Sequence, residues 1–156
     1  MIKKILISLI IITITANCGF TPIYSSKNSL ISIEQLNFSG DRILNNYLRS
    51  NLNRYKNEAS PKKMFLEIET IYQKNVLSKD ASGEINKYEL VAEVIITIKS
   101  SNQKIKFKES KIMKNMNNKS DERTYENSTK QTFANIIASN LIEQLVIIKQ
   151  VETKWL

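Results

Sequence analysis

Residues 87–99 read KYELVAEVIITIK, and this stretch decides the fold. Leu90, Ala92, Val94, Ile96 and Ile98 alternate with Glu89, Glu93, Thr97 and Lys99. Successive strand side chains point to opposite faces, so this period of two predicts a strand with one apolar and one wet face. The same period holds on both sides of it. Phe65-Leu66-Glu67-Ile68-Glu69 opens a strand running to about Leu77, and Lys79-Asp80-Ala81-Ser82-Gly83 supplies a turn. After Ser100-Ser101-Asn102, the residues from Gln103 to about Lys114 alternate Ile105 and Phe107 with Lys104, Lys106 and Lys108. Three strands joined by short turns predict an antiparallel meander. Its apolar face needs a cover.

Two helical patterns flank the meander. From about Asp41 to Lys56 the apolar residues Leu44, Tyr47, Leu48, Leu52 and Tyr55 recur at steps of three and four, with Ser39 or Asp41 placed to cap the start. Pro61 forbids continuation. A first strand, Leu30 to Phe38, precedes this helix and ends at the Ser39-Gly40 break. After the meander, Ser120 is a candidate cap, and Asp121 and Glu122 sit where the helix dipole favours acids. Ala134, Ile137, Ala138, Leu141, Leu145 and Ile148 then form one stripe of a long amphipathic helix, with Lys149 and Lys154 toward its end. The expected fold class is α+β: a two-layer sandwich of a four-stranded sheet with two helices on one face, in the order β-α-β-β-β-α.

The chain begins differently. Met1-Ile2-Lys3-Lys4 is a short basic start, and Ile5 to Ala16 is an uncharged run too short to span a bilayer, which takes about 20 residues. Residues 1–17 therefore read as a signal peptide. Ile14-Thr15-Ala16-Asn17-Cys18 resembles the lipobox of exported lipoproteins, which marks Cys18 for acylation and cleavage before it. Cys18 is the one cysteine in the chain, so it has no partner for an internal disulfide. A covalent lipid on Cys18 is the expected modification, and multiple acyl chains hold a protein on a membrane nearly permanently. Residues 18–29, with Pro22 and Ser25-Ser26-Lys27-Asn28, read as a tether, and residues 30–156 as a single domain.

Composition narrows the function. The chain has no His, one thiol already assigned to the anchor, and three Gly, so the commonest general base and a Gly-rich phosphate loop are both missing. Glu67 with Glu69, or Glu89 with Glu93, would share a strand face where opposing Lys satisfy them, as cross-strand pairs do. The expectation is no catalytic residue, no metal and no cofactor beyond the lipid. The formal charge of +8, of which Lys3 and Lys4 contribute two, points to anionic partners. Export removes nucleic acid from the candidates and leaves phospholipid head groups and the phosphates and acidic sugars of lipopolysaccharide. Lys104, Lys106 and Lys108 would place three ammonium groups on one side of a strand at steps of ~7 Å, a row able to meet such phosphates. Pairing with Glu89 and Glu93, or plain solvation, is the other reading of the same row.

Cys18-Gly19-Phe20-Thr21-Pro22-Ile23-Tyr24 resembles the Cys-Gly-Phe-x-Pro-Leu-Tyr start of the lipopolysaccharide-assembly lipoprotein family LptE, above all its alphaproteobacterial members. The strand-helix-three-strand-helix order and the long last helix, with Tyr125, Ser128 and Phe133 in its first part, extend the resemblance over the mature chain. It implies a non-catalytic lipoprotein on the periplasmic side of the outer membrane. Such a protein sits as a plug inside the β-barrel LptD, helps that barrel assemble, and interacts with lipopolysaccharide on its way to the surface. The alternatives are a periplasmic lipid carrier, which would need an apolar cavity too large for the core, and a scaffold for another outer-membrane complex.

Overall fold

The alternation at 87–99 becomes the centre of a sheet in a computed structural model of the protein, which describes residues 31–56 and 63–154, with side chains through residue 151. The elements are β1 (Ile33–Gly40), α1 (Arg42–Asn53), β2 (Met64–Lys79), β3 (Ile85–Ile98), β4 (Gln103–Lys114) and α2 (Lys119–Lys154). Residues 1–17, the tether 18–29 with Cys18, and Pro61 lie outside the described residues. The strands form one four-stranded sheet in the order β1-β2-β3-β4. β2, β3 and β4 are the antiparallel meander, and β1 lies parallel to β2. A parallel neighbour needs a crossover, and α1 provides it.

Register explains the core. Leu66 faces Ile98, Ile68 faces Ile96 and Thr70 faces Val94 across β2 and β3, while Ile96 faces Ile105 and Val94 faces Phe107 across β3 and β4. All of these side chains are buried, on the face that both helices cover. Slipping one pair by a single residue would turn the whole apolar set into water, at ~1.5–3 kcal/mol for each large side chain lost.

Each connection has a local cause. Asp80 Oδ1 accepts from the Ser82 and Glu84 backbone N–H groups at 2.9 and 3.0 Å, and Gly83 adopts φ +85°. This closes the β2–β3 turn tightly enough that β2 extends to Lys79 and β3 starts at Ile85, both beyond the strand limits that alternation alone suggests. Asp41 caps α1, its Oδ1 accepting from the Leu44 N–H at 2.8 Å, and Leu44, Leu48 and Leu52 are fully buried. At α2 the cap is Asn118 rather than Ser120. Asn118 Oδ1 accepts from the Ser120 N–H at 2.9 Å, which puts Ser120 inside the first turn. The stripe Ala134, Ile137, Ala138, Leu141 and Leu145 is buried as its period requires. By length and composition α2 is apolar enough to cross a bilayer, yet in the fold this stripe is the cover of the sheet.

Candidate functional site

The outer face of the sheet carries the lysine row. Lys104, Lys106 and Lys108 stand opposite Thr97, Ile95 and Glu93 of β3, and all three are exposed. Glu93 accepts from Lys106 at 2.8 Å and lies 3.6 Å from Lys108. The Lys106 hydrogen bond, helped by the charges of both lysines, holds the Glu93 carboxyl below the usual carboxylate range. The carboxylate sits between two ammonium groups and leaves the row basic. Lys104 borders an open hollow of about 370 Å³ between β1 and β3, whose walls include Asn37, Glu67, Glu69 and Thr97. On the same face Glu67 pairs with Lys99 at 2.6 Å, as expected of an exposed carboxylate on a sheet. The face combines Lys, Glu, Thr and Gln with single apolar residues such as Ile71 and Ile112.

Beneath the helices lies a second constellation that the strand and helix periods did not single out. The core-facing positions of β2 change from Leu66 and Ile68 to Thr70, Tyr72 and Lys74. Thr70 Oγ1 donates to Asn45 Oδ1 at 2.8 Å, and Asn45 Nδ2 donates to the Ser39 carbonyl at 3.1 Å. Lys130 Nζ pairs with Asp41 Oδ2 at 2.8 Å and lies 3.9 Å from the centre of the Tyr72 ring. Lys74 pairs with Glu122 and, at 2.6 Å, with Glu126, and it sits over the Tyr88 ring. Lys119 closes on Glu122 from the exposed side at 2.7 Å.

The charges are coupled to burial. At Asp41, burial works to raise the carboxyl, but the Leu44 N–H and the Lys130 ammonium outweigh it and hold the group below its ordinary value. Burial likewise opposes the charge on Lys74, and the bonds to Glu122 and Glu126 overcome it and raise the ammonium. Glu122 is lowered, first by Lys119 and then by Lys74. Burial pushes the Tyr72 hydroxyl strongly upward, with the negative charges of Glu126 and Asp41 adding to it, so it stays neutral. Its oxygen has no hydrogen-bond partner among the described residues. One sequence signal could have found this seam: Glu122, Glu126 and Lys130 recur every four residues on one helix face. By itself the spacing fits a wet flank equally well, because a buried charge is visible only once its partner on β2 is known.

These contacts are structural chemistry. Among the described residues no group of three or more His, Cys, Asp or Glu could hold a metal ion. A second open hollow, of about 470 Å³ between α1 and α2, is lined by polar residues such as Asn51, Gln131 and Asn135, and Asn51 Nδ2 donates to Asn135 Oδ1 at 2.8 Å. Both hollows are open and mix polar with apolar side chains, whereas a carrier of lipid chains requires an enclosing, mostly apolar wall.

No family model matches the sequence, and no curated protein matches it. Solved structures do match the fold. The rare lipoprotein B from Shewanella oneidensis superposes with a TM-score of 0.52 at 18% identity, over 78% of this chain and 99% of that one. Lipoprotein B from Nitrosomonas europaea gives 0.54 at 14% identity, over 77% and 86%. A lipoprotein from Caulobacter crescentus gives 0.53 at 15% identity, over 81% and 96%. At these identities the likeness is one of fold: this chain has the architecture of solved bacterial lipoproteins along nearly their whole length.

Proposed function

We propose that this chain is an LptE-type lipoprotein of the outer membrane, held by acyl groups on Cys18, that plugs the β-barrel LptD, assists its assembly and aids lipopolysaccharide transport to the outer leaflet. The observation that carries the reading is the conjunction of a lipoprotein fold with a Cys18-Gly19-Phe20-Thr21-Pro22-Ile23-Tyr24 start, two features that arise in separate parts of the chain. A plug must match a barrel lumen, which is polar. The outer sheet face and the amide-rich helix surface around Asn51 and Asn135 have that character. Within this reading Lys104, Lys106 and Lys108 are the lipopolysaccharide-contacting groups.

Depletion tests it. Loss of the protein lowers the amount of correctly assembled LptD, and the two isolate from mild detergent as a complex of about one to one. A Cys18→Ser chain loses fatty-acid labelling. LptD assembly indifferent to depletion would reject the role, and unchanged labelling in the variant would reject the anchor.

A further inference from the structure

The path of α2 can be followed by its partners. Glu122 and Glu126 meet Lys74, and Lys130 meets Tyr72, two residues nearer the start of β2. Farther on, Asn135 bonds Asn51, and Ala138 and Ser139 border Arg54 and Tyr55 just beyond the end of α1. Tyr55 marks the end of the sandwich where β1 begins, because its carbonyl accepts from the Ile33 N–H at 3.1 Å. α2 therefore runs toward the first residues of β1. From Ser139 to Val151 it continues another 12 residues, ~18 Å along its axis.

That final stretch exposes apolar side chains. Ile147 and Val151, one turn apart, are 59% and 54% exposed, while Leu141, Ile142 and Leu145 before them are buried. The sequence goes on through Lys154 to Trp155, the one tryptophan of the chain, and Leu156. Tryptophan and lysine are residue types favoured at a membrane surface. The same end of the fold is basic, with Arg54, Lys56 and Lys63 there, and Glu34 pairs with Lys63 at 3.1 Å. It is also the end to which residue 18 is joined, by the 12 residues Gly19 to Leu30, whose full extension is about 40 Å.

We propose that the last turns of α2, through Ile147 and Val151, lie on an anionic phospholipid surface and form a second membrane contact beside the acyl anchor. This rests on the reading of Cys18 as the anchor. The anchor confines the end of the fold to within the tether's reach of a bilayer. Two apolar side chains that bind weakly alone then act at high effective concentration, as any second site on a tethered molecule does. Arg54 and Lys56, beside the Lys63–Glu34 pair, match the phosphate charge of the surface.

Acylation consumes the Cys18 thiol, so a Val151→Cys chain can be spin-labelled at that position alone, with Asn140→Cys as an exposed control higher on α2. The full acylated chain is placed in vesicles of phosphatidylethanolamine and phosphatidylglycerol. The label at 151 is then relaxed more by oxygen, which concentrates in the bilayer, than by a nickel chelate in water, and the label at 140 shows the opposite. Adding Ile147→Glu, or exchanging phosphatidylglycerol for phosphatidylcholine, reduces the oxygen preference at 151 severalfold. A label at 151 that behaves like the one at 140 overturns the α2 contact, and a preference unchanged by both alterations overturns it as a specific one. The mass of the N-terminal peptide reads the anchor separately. An unmodified Cys18 rejects the anchor and the tethered geometry together, whereas an acylated chain with a water-exposed label rejects only the contact of α2.

Discussion

Lys130 Nζ lies 2.8 Å from Asp41 Oδ2, joining α2 to the residue that caps α1, and the same ammonium lies over the Tyr72 ring of β2. One ion pair thus ties both helices to the sheet. Lys130 is 9% exposed and Asp41 23%, so the pair is largely shielded from water, and its loss leaves the Asp41 carboxylate with only the backbone N–H groups of Leu44 and Ile43 to offset its partial burial.

Lys130→Met is expected to lower stability by about 2 kcal/mol, below the 3–5 kcal/mol typical of a fully buried pair because Asp41 keeps some solvent. Adding Asp41→Asn, which preserves a capping oxygen, recovers part of the loss. Urea unfolding of the single and double variants measures the coupling. Strictly additive losses would show that the two side chains act independently.

Gly40 is irreplaceable for two separate reasons. Its φ is +93°, and a Cβ built there would lie 1.8 Å from the Thr70 carbonyl oxygen, in the backbone of the next strand. Gly40→Ala is expected to cost ~3–5 kcal/mol or to abolish folding, since the clash is with backbone that cannot rotate away. Gly83 has a similar φ of +85° with open space around it, so Gly83→Ala should cost only ~1 kcal/mol. Thermal unfolding of the two variants side by side separates crowding from conformation.

The seam sets a pH window. Asp41 and Glu122 are held below their ordinary values in the fold, so the stability they contribute is present above about pH 4, where the unfolded carboxyls are ionised, and is lost as pH falls through their folded values. Lys74 is held above its ordinary value, so its contribution is present below about pH 10 and is lost as pH rises through the folded value. Unfolding free energy from urea titrations should be nearly flat between these limits and fall on either side. A decline beginning near pH 6 would contradict this, for the chain has no His to titrate there.

The lysine row can be removed without touching the core. Lys106 and Lys108 are exposed and share one half-buried acceptor, Glu93, so replacing Lys104, Lys106 and Lys108 together by Ser should leave stability nearly unchanged. Under the proposed function the same variant binds lipopolysaccharide more weakly and with a flatter salt dependence, while association with LptD persists. Undiminished binding at low salt would make these lysines a solvated sheet face.

The elements were legible because they rest on local, periodic causes. Alternation at Leu90, Ala92, Val94, Ile96 and Ile98 can be satisfied only by a strand with one buried face, and Leu44, Leu48 and Leu52 only by a helix with one buried stripe. The lysine row followed by the same rule, since Ile105 and Phe107 turn inward and force Lys104, Lys106 and Lys108 outward. The cap of α2 was misplaced by two residues because Asn118 and Ser120 are both good caps, and only the direction of the Asn118 side chain separates them.

What the sequence determined by itself is therefore the set of elements, their order, the face each one buries, and the motif at Cys18. The tertiary structure decided which elements are neighbours: β1 parallel beside β2, α1 against α2, and the last turns of α2 at the end of the fold where β1 begins. It also decided that Lys74 pairs with Glu122 and Glu126, and Lys130 with Asp41, along a largely buried seam of α2. The reason is physical. Side-chain direction follows from the chain's own local period, whereas burying a charge depends on a partner tens of residues away, and no local pattern records that distance.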